Sequence, residues 1–238
     1  MMNTKVRWMC AVVCALVVGC GGPEMDIASQ TDGSDSLQTG TLALGVPTTV
    51  DEVLARATPG QPFHVNGDMM LGAKTTLNGV DIRVSGSIRA PAGAELEGLN
   101  GASLTARGSI SMGRLIGGPG GIKVSAMGDF NRSGGMGVMN DLNFSGDVIG
   151  NVYLNCSGNV NVGGMFVGGQ KVDGYTIIGG AGGATVYATT LHVYGGDFVG
   201  RNYLYKAQVT PPNTAGARIY ANVDTHGHDF IGRDKIVY

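Results

Sequence analysis

The most constraining feature of this chain is a short unit that keeps returning: a glycine, a small polar residue, then an apolar one. It reads Gly67-Asp68-Met69, Gly86-Ser87-Ile88, Gly108-Ser109-Ile110, Gly128-Asp129-Phe130 and Gly146-Asp147-Val148. The glycines are 19, 22, 20 and 18 residues apart. Further copies at Gly158-Asn159-Val160, Gly196-Asp197-Phe198 and the variant His228-Asp229-Phe230 are less evenly spaced, which implies insertions. Period-two alternation often precedes the glycine, as in Ile82-x-Val84, Leu142-x-Phe144 and Leu154-x-Cys156. Alternation of that kind places one strand face in a core and the other in water. Glycine supplies 42 of the 238 residues, well above its usual share of about 7%. The chain is nevertheless 43% hydrophobic, too apolar for a solvated disordered polymer. No strict Gly-X-Y period is present, which excludes collagen.

A period near 20 with two or three short strands per repeat is what a β-helix coil requires. The predicted fold is therefore all-β, a single-stranded parallel β-helix (a β-solenoid). Inward Val, Ile, Leu, Phe and Met would fill a narrow core, and Gly, Asn and Asp would serve the turns. Residues 62–238 would make roughly nine coils at this period, a rod on the order of 40 Å long. Evenly spaced strands also fit an antiparallel sandwich or barrel, which stays open as the competing architecture.

One helix is legible, near residues 49–57. Thr49-Val50-Asp51-Glu52 is a capping box, in which the Thr hydroxyl and Glu carboxylate satisfy free backbone N–H groups. Val50, Val53, Leu54 and Ala57 form one apolar stripe, and Pro59-Gly60 ends it. The run from Val50 to Val65, with its helix ending in Pro-Gly before the strand Pro62-Phe63-His64-Val65, resembles the opening of β-helix proteins of the pectin-lyase-like class. Thr76-Leu77-Asn78-Gly79-Val80-Asp81-Ile82-Arg83-Val84-Ser85-Gly86 is similar to their second coil. The resemblance implies a right-handed parallel β-helix with a short N-terminal helix capping the first coil. Gly146-Asp147-Val148-Ile149-Gly150-Asn151-Val152 is similar to the coils of bactofilin-like polymer-forming solenoids.

Lys5 and Arg7 lie near the start of the chain, followed by an almost wholly apolar run from Trp8 to Val18. That run is too short for a bilayer, which needs about 20 residues, and matches a secretory signal. Leu16-Val17-Val18-Gly19-Cys20 resembles the bacterial lipobox, with Val17 where Leu is commoner. The resemblance implies cleavage before Cys20, lipidation of Cys20 and a membrane partner reached through that lipid. It places the protein in the cell envelope, with the outer membrane favoured because Gly21 and Gly22, not Asp, follow the cysteine. The expected domains are a signal peptide over 1–19, a lipidated cysteine and polar tether over 20–45, and the β-helix domain over 46–238. Without Lys5 and Arg7, 14 of the chain's 16 basic side chains remain against 18 acidic ones. No basic face is available for nucleic acid. Cys156 alone would remain to pair with itself, so no intrachain disulfide is expected.

Catalytic motifs are sparse, and no catalytic residue is assigned. Gly117-Gly118-Pro119-Gly120-Gly121 lacks the lysine of a phosphate loop. Polysaccharide lyases of the resembled class use clustered Asp for calcium and a basic residue to take a proton. Asp68, Asp129, Asp147, Asp197 and Asp229 each follow the repeated glycine or its His228 variant. In register they would form a carboxylate ladder for Ca²⁺. The alternative is that these small polar residues satisfy turn backbone groups. Asp224, His226, His228 and Asp229 are candidate ligands for zinc or copper, since two His at i and i+2 on a strand share a side. Gly227 between them suits a turn equally, and His192 joins them only if the coils stack so as to bring it near.

Tyrosines crowd the C-terminal half, and Tyr194, Tyr203 and Tyr205 are candidates for stacking on sugar rings. The final strand, Lys235-Ile236-Val237-Tyr238, has nothing after it to cover the last coil, and an uncovered coil invites pairing. The expected function is a non-catalytic envelope lipoprotein whose rod is structural, adhesive or carbohydrate-contacting. The alternatives are a polysaccharide-active enzyme (lyase or hydrolase) and a scaffold that self-associates at the C-terminal coil. Replacing Cys20 by Ala is expected to abolish incorporation of labelled palmitate, read by fluorography of the expressed protein. Label retained in the variant would refute the lipobox assignment.

Overall fold

The computed structural model describes the strand Thr39–Gly40 and residues 48–127 and 139–238. The expected signal peptide, the candidate lipidation site Cys20, nearly all of the expected tether and the Gly128-Asp129-Phe130 unit lie outside the described residues. Among the described residues, no helix is long and apolar enough to cross a membrane.

The chain winds as a parallel β-solenoid with three faces. The first face carries Pro62–Val65, Asp81–Val84 and Ala102–Ala106, then the later parts of Arg114–Ala126 and Val148–Cys156, and finally the early parts of Thr185–Val193 and Arg218–Asp224. The second carries Met69–Met70, Ile88–Arg89, Ile110–Met112, Leu142–Phe144 and Val160–Val162, then 191–193 and 222–224. Lys74–Asn78, Glu95–Leu99, 114–117, 148–150, Phe166–Val167, Phe198–Val199 and Phe230–Ile231 make the third. Every pairing between successive coils on these faces is parallel, so the antiparallel alternative is set aside.

The interior follows from the register. Each face sends columns of side chains inward, each residue directly above its counterpart one coil away. On the first face one such column is Phe63, Ile82, Leu104, Val124, Leu154, Val186 and Ile219. On the second it is Met69, Ile88, Ile110, Leu142, Val160, Leu191 and Val223. The third ends in three stacked phenylalanines, the buried Phe166 and Phe198 and the exposed Phe230, with ring planes within 1° of parallel and centroids 5.2 and 4.6 Å apart. Cys156 lies at the inner side of the first face, paired with Ala126. Burial raises its thiol pKa to about 11, so it behaves as a small apolar filler.

From Pro62 onward, the registered pairs among the described residues count seven coils, not nine. Along the first face they step from Pro62 to Asp81, Ser103, Lys123, Tyr153, Thr185 and Arg218. The early coils are as short as the glycine spacing predicts, but the later ones are about half as long again. In the last coils the extra residues build a fourth strip, Lys171–Asp173, Tyr203–Tyr205 and Lys235–Val237, joined by the antiparallel strand Thr176–Ile178. This strip gives the outer side of the third face a second small core, in which Ile149, Val167 and Val199 are fully buried against Met165, Ile178 and Tyr203.

The capping helix is present and shorter than expected, Val50–Leu54. Thr49 Oγ accepts from the Glu52 amide at 3.4 Å, and Glu52 Oε2 accepts from the Thr49 amide at 3.1 Å. Val50 and Val53 seat the helix on the core.

Leu154 is fully buried between Val124 and Val186. Leu154→Ala is expected to lower stability by about 2–5 kcal/mol, measured by denaturant unfolding. A loss below about 0.5 kcal/mol would contradict a close-packed column at that site.

Candidate functional site

The repeated glycine unit serves two different corners. Between the first and second faces stand Asp68, Ser87, Ser109, Asp141 and Asn159, each preceding an inward residue of the second face. Their side chains cap backbone in the next coil. The Ser87 amide donates to Asp68 Oδ1 at 2.8 Å, the Asp141 amide to Ser109 Oγ at 3.2 Å, and the Asn159 amide to Asp141 Oδ1 at 2.7 Å. Between the second and third faces stand Asp147, Met165, Asp197 and Asp229. There Asp147 accepts from the Met165 amide at 3.0 Å and from Lys171 Nζ at 3.0 Å. Asp197 accepts from the Asp229 amide at 3.2 Å and pairs with Lys235. The acidic residues are thus split over two corners, interrupted by Met165 on one of them, and spend their oxygens on amides and lysines.

The second face carries the outstanding surface feature. Between its inward residues one position of each strand points out, and the register aligns these into one column: Arg89, Ser111, Asn143, Asn161, His192 and Asp224. Asn161 Nδ2 donates to Asn143 Oδ1 at 2.9 Å, so the amides form a ladder. Beside it lies a groove of about 470 Å³ whose lining includes Ala90, Pro91, Ser111, Asn143, Asn161 and Tyr194. Tyr194 hangs from the end of its strand, its amide bonded to the Val162 carbonyl at 2.8 Å and its hydroxyl 3.5 Å from Asn161 Oδ1.

At the far end of the column the coils bring His192 over Asp224. The chain leaves the strand at Asp224 and turns, so His226 takes φ 51° and Gly227 φ 89°. The left-handed turn folds the His226 ring back over the column. His192 Nδ1 and His226 Nε2 face each other at 3.1 Å, and Asp224 Oδ2 lies 3.6 and 3.5 Å from them. Asp224 Oδ1 accepts from the His226 amide at 2.9 Å. That bond, aided by the two imidazoles, holds the Asp224 carboxyl below its usual range. The Tyr194 ring stacks on His226 with centroids 4.2 Å apart.

Of the candidate metal ligands, Asp224 and His226 therefore meet, joined by His192. Because 225–227 form a turn, the two neighbouring histidines diverge. His228 Nε2 reaches the Tyr194 carbonyl at 2.9 Å, and Asp229 lies at the other corner, 3.5 Å from Lys235 Nζ.

The candidate tyrosines separate as well. Tyr194 lines the groove, whereas Tyr203 and Tyr205 lie on the fourth strip, where Tyr203 helps close the second core. A different set, Tyr153, Tyr187 and Tyr220, stands exposed along the first face. Tyr187 and Tyr220 stack with planes 3° apart and centroids 4.5 Å apart, which occupies their ring faces with each other.

The chain matches no family model, no curated protein and no solved structure.

Ser111, Asn143 and Asn161 escaped notice in the sequence because each reads as an ordinary wet position of an alternating strand. The signal that would have found them is the central residue of Ile-Ser-Met, Leu-Asn-Phe, Val-Asn-Val and Leu-His-Val, aligned by the inward pairs.

The groove depends on close approach of the coils at Gly195, next to Tyr194. A Cβ there would lie 1.9 Å from the Gly163 carbonyl oxygen, whereas one at Gly232 would meet nothing within 4 Å. Gly195→Ala is expected to cost about 1–3 kcal/mol, with Gly232→Ala near neutral, both read by thermal unfolding. Equal effects of the two would contradict the close approach.

Proposed function

We propose that this protein is a lipid-anchored envelope rod whose second face binds carbohydrate without turning it over. The observation that carries the reading is the groove beside the amide column, where Ser111, Asn143 and Asn161 supply hydroxyl and amide groups at successive coils and Tyr194 supplies an aromatic wall. Neutral donors and acceptors repeated at the coil spacing of about 4.8 Å suit a polymer of hydroxyl-bearing rings. Sugar hydroxyls bond both ways, as amides and hydroxyls do, and a tyrosine offers apolar area beside a polar tip. The anchor rests on the lipobox-like Cys20, and the outer membrane remains the favoured location.

A second reading, a polysaccharide-active enzyme, draws on a neighbouring groove of about 430 Å³ lined by Arg114, Asp147 and Lys171. Its charges already close ion pairs, Lys171 with Asp147 at 3.0 Å and Arg114 with Glu95 at 3.2 Å. This favours a structural role for them.

The test uses the full chain in detergent micelles against a panel of cell-wall and capsular polysaccharides, scoring retention and release of new reducing or unsaturated ends. The expected result is retention without release. Joint replacement of Asn143 and Asn161 by Ala should weaken retention roughly tenfold, as the loss of two hydrogen bonds of about 0.5–1.5 kcal/mol each implies. Release of new ends that stops in Lys171→Ala would favour the enzyme. Retention unaffected by the double variant would remove the groove from the proposal.

A further inference from the structure

The cluster at the end of the second face has a shape that the hydrogen bonds alone do not demand. Its three facing atoms, His192 Nδ1, His226 Nε2 and Asp224 Oδ2, form a triangle with sides of 3.1, 3.5 and 3.6 Å. Ligands held about 2.0–2.2 Å from a tetrahedral zinc ion stand roughly 3.3–3.6 Å apart. Both sides to Asp224 Oδ2 fall in that range and the side between the imidazoles is about 0.2 Å shorter, so a small outward shift of one ring gives one face of a zinc tetrahedron. We infer that His192, Asp224 and His226 form a binding site for a first-row divalent metal ion, with Zn²⁺ the ligand of choice.

Four features of the chain hold the donors in place. His192 and Asp224 are fixed by parallel pairing of adjacent coils. His226 is positioned by a turn in which it adopts φ 51°, a conformation uncommon for a residue other than glycine. The hydrogen bond from its own amide to Asp224 Oδ1 locks that turn and leaves Oδ2 directed at the two rings. Tyr194 packs on the outer imidazole at 4.2 Å and restrains its plane. Two imidazoles and one carboxylate are a donor set suited to zinc, with a fourth position left to water or an outside ligand.

Metal binding needs both facing nitrogens unprotonated. In neutral imidazoles this requires only that the proton between the rings move to the far nitrogen of its own ring. At lower pH protons compete directly with the metal. The site does not depend on the carbohydrate reading, because the metal alone is its probe.

The full chain, purified without a polyhistidine tag and stripped with a chelator, is dialysed against Zn²⁺ and separately against Co²⁺. One Zn²⁺ per chain is expected, and Co²⁺ should develop the strong visible absorption of a four-coordinate site. His192→Ala and Asp224→Asn should each weaken binding at least about tenfold, while His228→Ala leaves it unchanged. His226→Ala, in an exposed turn, provides a third variant should the His192 replacement disturb the strand. Zn²⁺ should raise the melting temperature of the wild type and not that of the ligand variants. No zinc bound to the wild type, or full binding retained in the variants, would overturn the inference.

Discussion

Every feature of this molecule depends on the parallel backbone ladder between successive coils. On the three faces a coil does not pair its own strands, so their N–H and C=O groups find partners in the coils before and after it. The ladder fixes which residue stands above which, and it acts on both sides of each strand at once. Inside, it turns Leu104, Val124, Leu154 and Val186 into a close-packed column. Outside, the same registration turns Ser111, Asn143, Asn161 and His192 into a continuous line. Like residues stack because their backbones are in register, as the near-parallel planes of Phe166, Phe198 and Phe230 demonstrate.

The corners meet a different requirement. Where the chain bends, backbone amides lose their ladder partners, and small polar side chains from neighbouring coils supply replacements. Asp68, Asp141 and Asp147 do this with one carboxylate oxygen each. Charge is then balanced locally, by Lys171 at Asp147 and Lys235 at Asp197. Further out, the Arg201 guanidinium grips Asp234 of the next coil through two bonds, 2.7 and 2.6 Å, and holds that carboxyl below its usual range. Polar side chains at the corners thus join the coils as the apolar columns do inside.

Legibility in the sequence tracked the range of the interaction. The capping box at Thr49 and Glu52 is a contact three residues long, and it stands in the structure as the motif requires. The strand alternation and the coil period were readable in the first half, where coils hold little besides strands and corners. Counting failed after Lys123, because the glycine unit recurs at two corners and the long coils insert a fourth strip. Gly67-Asp68-Met69 and Gly146-Asp147-Val148 look alike as text yet precede strands of different faces. The metal candidates went the same way. His226 and His228 are neighbours in sequence, and the left-handed turn at His226 sends them apart, while His192 arrives from a coil 34 residues earlier.

The sequence by itself determined the class of structure: a short-period, glycine-cornered, alternating chain buries its apolar residues most simply by stacking coils, and composition and local pattern suffice to say so. Tertiary structure alone decided which wet residues share a line. That depends on the length of every intervening loop, and one inserted segment shifts which positions meet. The amide groove beside Tyr194 and the triangle of His192, Asp224 and His226 are products of that registration, which brings together donors from strands and a turn that lie apart in the sequence.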